Sequence, residues 1–105
     1  MSQKRFNLKD TKGMEFNTKE TYDLLKMNRQ YLMCWAARDF VNMLDKALRF
    51  KVSGYLHKGL VYVTLNGGDL YDVHLVSTHG NLKETKTDIY FDDLSEMIDK
   101  MVETK

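Results

Sequence analysis

The sequence predicts an α+β domain: N-terminal helices, a four-stranded antiparallel meander and a C-terminal helix, with the helices packed on one face of the sheet. Three observations predict it. Apolar residues recur at helical spacing up to Leu48, at every second residue between Phe50 and Phe91, and at helical spacing again from Leu94. Turn residues interrupt the middle stretch at short intervals, so consecutive strands become neighbours. With 105 residues, 43% of them apolar and 30% charged, the chain has the composition of one globular domain and not of a disordered tail.

Residues 1–15 lack periodicity and read as a flexible arm or an edge strand; residues 16–105 read as the domain. Asn17-Thr18-Lys19-Glu20 signals a helix start, because the Asn17 side chain can accept from the open amides of the first turn. The apolar spacing then supports two helices, about 18–27 and 29–48, with Asn28 between them. Met33, Ala37, Phe40, Val41, Leu44 and Leu48 form the stripe of the second. Trp35, Tyr31 and Leu24 fall off that stripe, and their exposure would support an oligomer interface. Cys34 is expected to be a buried, inert thiol, since no His or acid is placed to activate it. As the only cysteine it also excludes an internal disulfide. Met33, Met97 and Met101 are expected to fill the core.

The first strand holds Phe50, Val52 and Gly54 on one face. The second holds Val61, Val63 and Leu65. Asn66-Gly67-Gly68-Asp69 supplies residues that tolerate a hairpin turn. Tyr71, Val73 and Leu75 alternate on the return strand, and His79-Gly80-Asn81 marks the next turn. A fourth strand, about 83–91, sets Thr85, Thr87, Ile89 and Phe91 on the apolar face and Glu84, Lys86, Asp88 and Tyr90 on the other. Asp92 or Asp93 caps the last helix, whose stripe is Leu94, Met97, Ile98, Met101 and Val102.

If the helices cover the apolar face, the other face carries Lys51, Tyr55, Tyr62, Thr64, Asp72, His74, Lys86, Asp88 and Tyr90. From these, Lys51, Tyr55, Tyr62, Asp72, His74, Lys86 and Tyr90 form the candidate binding surface. Tyrosine is common in protein interfaces, and aromatic rings on a sheet can stack bases. The plain alternative is a solvent-facing sheet on which tyrosine serves strand pairing. Asp72 with Glu84-Thr85-Lys86 also has the spacing of an Asp…Glu-x-Lys metal-dependent nuclease site, in which two carboxylates would hold Mg²⁺. The same charges fit an ordinary wet strand. His57, His74 and His79 lack the spacing of a helical metal site. No catalytic residue, metal or cofactor is therefore expected.

Charge is uneven although the net is +1: residues 1–65 hold 12 Lys/Arg against 6 Asp/Glu, and residues 66–105 hold 4 Lys against 9 Asp/Glu. The first twelve residues contribute Lys4, Arg5, Lys9 and Lys12 against Asp10. Such asymmetry fits a basic arm for nucleic acid or two ends that attract each other, within one chain or between copies. The apolar runs are too short to cross a bilayer. No apolar stretch follows the basic start, so a cytoplasmic location without membrane contact is expected.

Ala36, Ala37, Phe40 and Val41, the strands Val61 to Asn66 and Asp69 to Val73, and the acidic helix start Phe91 to Leu94 share a pattern with a known group. Over its C-terminal two thirds the chain resembles small uncharacterised proteins of bacteriophages and bacterial mobile elements. The resemblance implies an accessory role and carries over no catalytic residue. The functional expectation is a non-enzymatic accessory or regulatory protein that binds another protein or a second copy of itself. Nucleic-acid binding through the basic half is the alternative, and a metal-dependent nuclease comes third.

Overall fold

The computed structural model describes residues 6, 14–54, 56–66, 68 and 70–103. Helix α1 (Thr18–Lys26) starts at the expected cap: Asn17 Oδ1 accepts from the N–H groups of Lys19 and Glu20, at 3.0 and 3.3 Å. Helix α2 (Arg29–Cys34) is much shorter than its expected span. It ends in a Schellman turn, with Ala36 N–H donating to Met33 O (3.1 Å) and Ala37 N–H to Leu32 O (3.0 Å). That motif needs a left-handed residue after the cap. Ala36 supplies it at φ 51°, where glycine is usual.

The chain therefore enters a strand where the apolar stripe predicts more helix. Strands β1 (Arg38–Met43) and β2 (Ala47–Ser53) form an antiparallel hairpin with Met43 opposite Ala47, Asn42 opposite Leu48 and Val41 opposite Arg49. Leu44 and Asp45 turn at φ 57° and 58°, and Lys46 N–H closes on Met43 O at 3.0 Å. Asn42 braces the turn, donating to Asp45 Oδ1 at 2.7 Å and accepting from Asp45 N–H at 2.8 Å. The helical reading of 38–48 is thus corrected. Phe40 and Leu48 share a face in either conformation, so the stripe alone does not decide between them.

Strands β3 (Lys58–Leu65), β4 (Tyr71–Val76) and β5 (Leu82–Ile89) complete a five-stranded antiparallel sheet in the order β1-β2-β3-β4-β5, one strand more than expected. A 3-10 turn (Phe91–Asp93) leads into α3 (Leu94–Val102). One core cluster joins Leu25 of α1, Trp35, and Leu94, Ile98, Met101 and Val102 of α3 to Phe50, Val52, Val61, Val63, Val73, Leu75 and Ile89 of the sheet. The helices therefore gather on the predicted face.

Several single residues lie elsewhere than the sequence reading puts them. Trp35 is fully buried, and Tyr31 and Leu24 are half-buried against the core. The Trp35 ring lies parallel to Tyr31 and Phe50, with centroids 5.9 and 6.4 Å away, and its Nε1–H donates to Asp99 Oδ1 at 3.0 Å. Cys34, Met33 and Leu44 are exposed instead of buried. In β5, Glu84 lies opposite Leu75, Lys86 opposite Val73, and Thr85 opposite His74. Glu84 and Lys86 thus point to the helix side, where the cover stops short of the edge, and Thr85 points to the outer side. An extra residue then restores Ile89 to the core opposite Tyr71, with Asp88 at φ 58°. Phe91, expected inside, is exposed.

Two substitutions test this architecture. Leu44→Gly removes a left-handed penalty in the hairpin and is expected to stabilise the protein by about 1 kcal/mol in urea unfolding. In a helix the same change would destabilise by about 1 kcal/mol, so the sign of the shift distinguishes the two. Gly54 packs so closely on the last turn of α3 that an added Cβ would lie 2.6 Å from the Val102 carbonyl oxygen. Gly54→Ala is expected to destabilise by about 2 kcal/mol or more, and an unchanged urea midpoint would contradict that packing.

Candidate functional site

The outer sheet face is built in cross-strand rows. Val41, Arg49, Tyr62, His74 and Thr85 form one row; Arg38, Lys51, Leu60, Val76 and Leu82 form the next. The centre of this face is not open. Ala47, Tyr62 and Val76 form a second apolar cluster, flanked by Met43, Leu60 and Leu82 and covered by Phe6. The Phe6 ring sits 4.4 Å from Tyr62 and 5.4 Å from His74, and its N–H donates to Gly80 O at 2.8 Å.

The predicted contact residues accordingly separate. Tyr62 and His74 come together but are only 9% and 6% exposed. Lys51 is exposed and pairs with Asp39 at 3.7 Å. Asp72 Oδ1 accepts from Asn66 Nδ2 (3.0 Å) and from Asp88 N–H (3.1 Å), so it organises the β3–β4 turn. Lys86 lies on the opposite face from Asp72, and exposed Tyr90 follows the end of β5. Tyr55, Gly67 and Asp69, and the basic arm residues Lys4, Arg5, Lys9 and Lys12, lie outside the described residues. Asp72 and the pair Glu84 and Lys86 point to opposite faces, so the nuclease-like triad does not converge. Among the described residues no group of three or more His, Cys, Asp or Glu side chains is placed to hold a metal ion.

His74 is held on both ring nitrogens: Nε2 hydrogen-bonds Thr64 Oγ1 at 3.1 Å and Nδ1 hydrogen-bonds Thr85 Oγ1 at 3.2 Å. Burial pushes its pKa below the usual 6.5, while the Asp72 carboxylate pulls weakly the other way. His57 is buried behind Gly59 with Nε2 3.1 Å from Leu60 O, and burial lowers its pKa too. Both imidazoles are hydrogen-bonded within the fold, and burial disfavours their charged form.

The more open geometry lies at the β1 side of the sheet. No described strand pairs the outer edge of β1. Beside that edge, the N-terminal half of α1 and strands β1 and β2 leave an open groove of about 430 Å³ lined by Thr18, Lys19, Tyr22, Phe40, Val41, Asn42 and Leu48. Its wall is aromatic: Tyr22 and Phe40 rings are 4.8 Å apart, and Phe40 stacks on Phe50 at 4.8 Å. Sequence reasoning missed this groove because it placed Phe40, Val41 and Leu48 on a helix. The paired Asn42 and Asp45, three residues apart as in a turn, were the available signal.

Comparison with protein-family models, with curated proteins and with solved structures finds no match for this chain.

The two lowered histidine pKa values set a pH dependence. Between the folded pKa and 6.5 the unfolded chain binds more protons, so stability rises with pH there. The urea midpoint is expected to be flat above about pH 6.5 and to fall as the pH drops below it. His74→Gln should flatten part of that fall; an unchanged slope would show that His74 is not kept neutral.

Proposed function

We propose that this chain is a non-enzymatic accessory or regulatory protein that binds another protein, and that it does so by taking up an extended segment along the edge of β1 that no described strand pairs. The observation that carries the reading is the groove between α1 and β1, lying beside a strand edge that is unpaired among the described residues. A strand edge presents a row of N–H and C=O groups that an incoming strand can pair. A groove alongside supplies the pocket that makes such pairing selective. The resemblance to small phage and mobile-element proteins supports the accessory role.

The other edge is a poorer surface for this purpose. Strand β1 is itself irregular between Arg38 and Val41, with Asp39 at φ 58°, but Val41–Met43 pairs in regular register, whereas β5 carries Lys83, Glu84, Lys86 and Asp88 and shifts register at both ends. Mixed charge and bulges are features that discourage strand addition. A hydrolytic centre is not part of this proposal, because Asp72 faces away from Glu84 and Lys86.

Short random peptides displayed against the immobilised protein test the reading, followed by amide chemical-shift mapping of a selected binder. Shifts are expected at Arg38–Met43 and along Thr18–Tyr22. Shifts confined to β5 or to the outer face, or failure to select any binder, would overturn it. Sedimentation of the unliganded protein tells whether a second copy supplies the strand.

A further inference from the structure

Resting on that edge-strand reading, the geometry points to a particular partner chemistry: we propose that the segment taken up at β1 alternates apolar with acidic side chains. Past the irregularity at Asp39, a strand laid beside Val41–Met43 sends successive side chains to opposite sheet faces. Those on the helix side enter the groove against the aromatic wall of Tyr22 and Phe40, with Leu48 behind and Thr18, Lys19 and Asn42 at its polar margin, and that wall favours apolar groups.

Those on the outer side meet cations. Arg38 lies directly opposite Lys51, and Arg49 lies opposite Val41, all on the outer face of the first two strands. Arg38 is held along this end of the sheet, its Nη1 donating to Ala36 O at 3.3 Å and Ser53 Oγ at 3.4 Å. Like charges placed opposite each other across two strands repel. Among the described residues Asp39 meets them, through an ion pair with Lys51 in which both side chains are about half exposed (48% and 59%) and therefore well screened. Carboxylates on an added strand would lie one or two strand spacings from these cations, roughly 5–10 Å along the sheet. Long Arg, Lys and Glu side chains span that distance between them. The edge thus selects for apolar groups on one side and for negative charge on the other.

The probe is a set of fluorescein-labelled synthetic peptides with the same valine positions: a Val-Glu repeat, a Val-Gln repeat and a Val-Lys repeat. Binding to the full chain is read by anisotropy. The Val-Glu peptide is expected to bind at least about ten-fold more tightly than the Val-Gln peptide, equivalent to about 1.4 kcal/mol, with the gap closing as salt rises. The Val-Lys peptide is expected not to bind. Lys51→Glu and Arg38→Glu change exposed side chains, and each is expected to shift the preference toward the Val-Lys peptide while circular dichroism stays unchanged. Equal binding of the three peptides overturns the acidic preference and leaves the edge-strand reading standing. Binding of none overturns both. A labelled oligothymidine that binds more tightly than the Val-Glu peptide, and loses affinity in Lys51→Glu, overturns the inference in favour of a nucleic-acid partner.

Discussion

The fold depends on how Trp35 is buried. An indole in a core needs an acceptor for its N–H, and Asp99 of α3 provides it. The ring fills the space between Tyr31 and Phe50, and the Trp35 carbonyl accepts from Ser53 N–H at 2.7 Å. One residue therefore fixes the end of α2 to the last helix and to β2. Because the chain reverses at Ala36 immediately afterwards, this anchor also sets where β1 begins. With β1 placed, Phe40 comes onto Phe50 and Tyr22, and the groove beside the edge follows from that stack.

Much of this architecture is legible in the sequence, for identifiable reasons. Asn17 caps α1 because a short carbonyl side chain before a helix has few better uses. The β3–β4 turn at Asn66 and the stripe of α3 follow from local chemistry alone. The segment 35–48 is different. Its turns use Ala36, Leu44 and Asp45 in left-handed conformations where glycine would have announced them. The packing of Trp35 and the pairing of β1 with β2 override that local cost, and neither is visible at short range. In β5 the alternation was right in period but wrong in face, because an extra residue flips the phase without leaving a mark in composition.

The site was less legible than the fold for the same reason. Two-residue alternation correctly puts Tyr62, Asp72 and His74 on one face. Only the tertiary structure shows that Phe6 covers part of it and that Asp72 is engaged in a turn. The residues that line the open groove come from α1, β1 and β2, and they meet only once the hairpin is known.

The two layers over this sheet are held very differently. On one side, helices from both ends of the chain interlock with the strands. On the other, among the described residues, a lone aromatic ring secured by one main-chain hydrogen bond shields Tyr62 and Val76. Under that ring the Tyr62 phenol is nearly closed to water, whereas Tyr90 stands exposed beyond the end of β5. A phenol-directed reagent should therefore mark Tyr90 well before Tyr62.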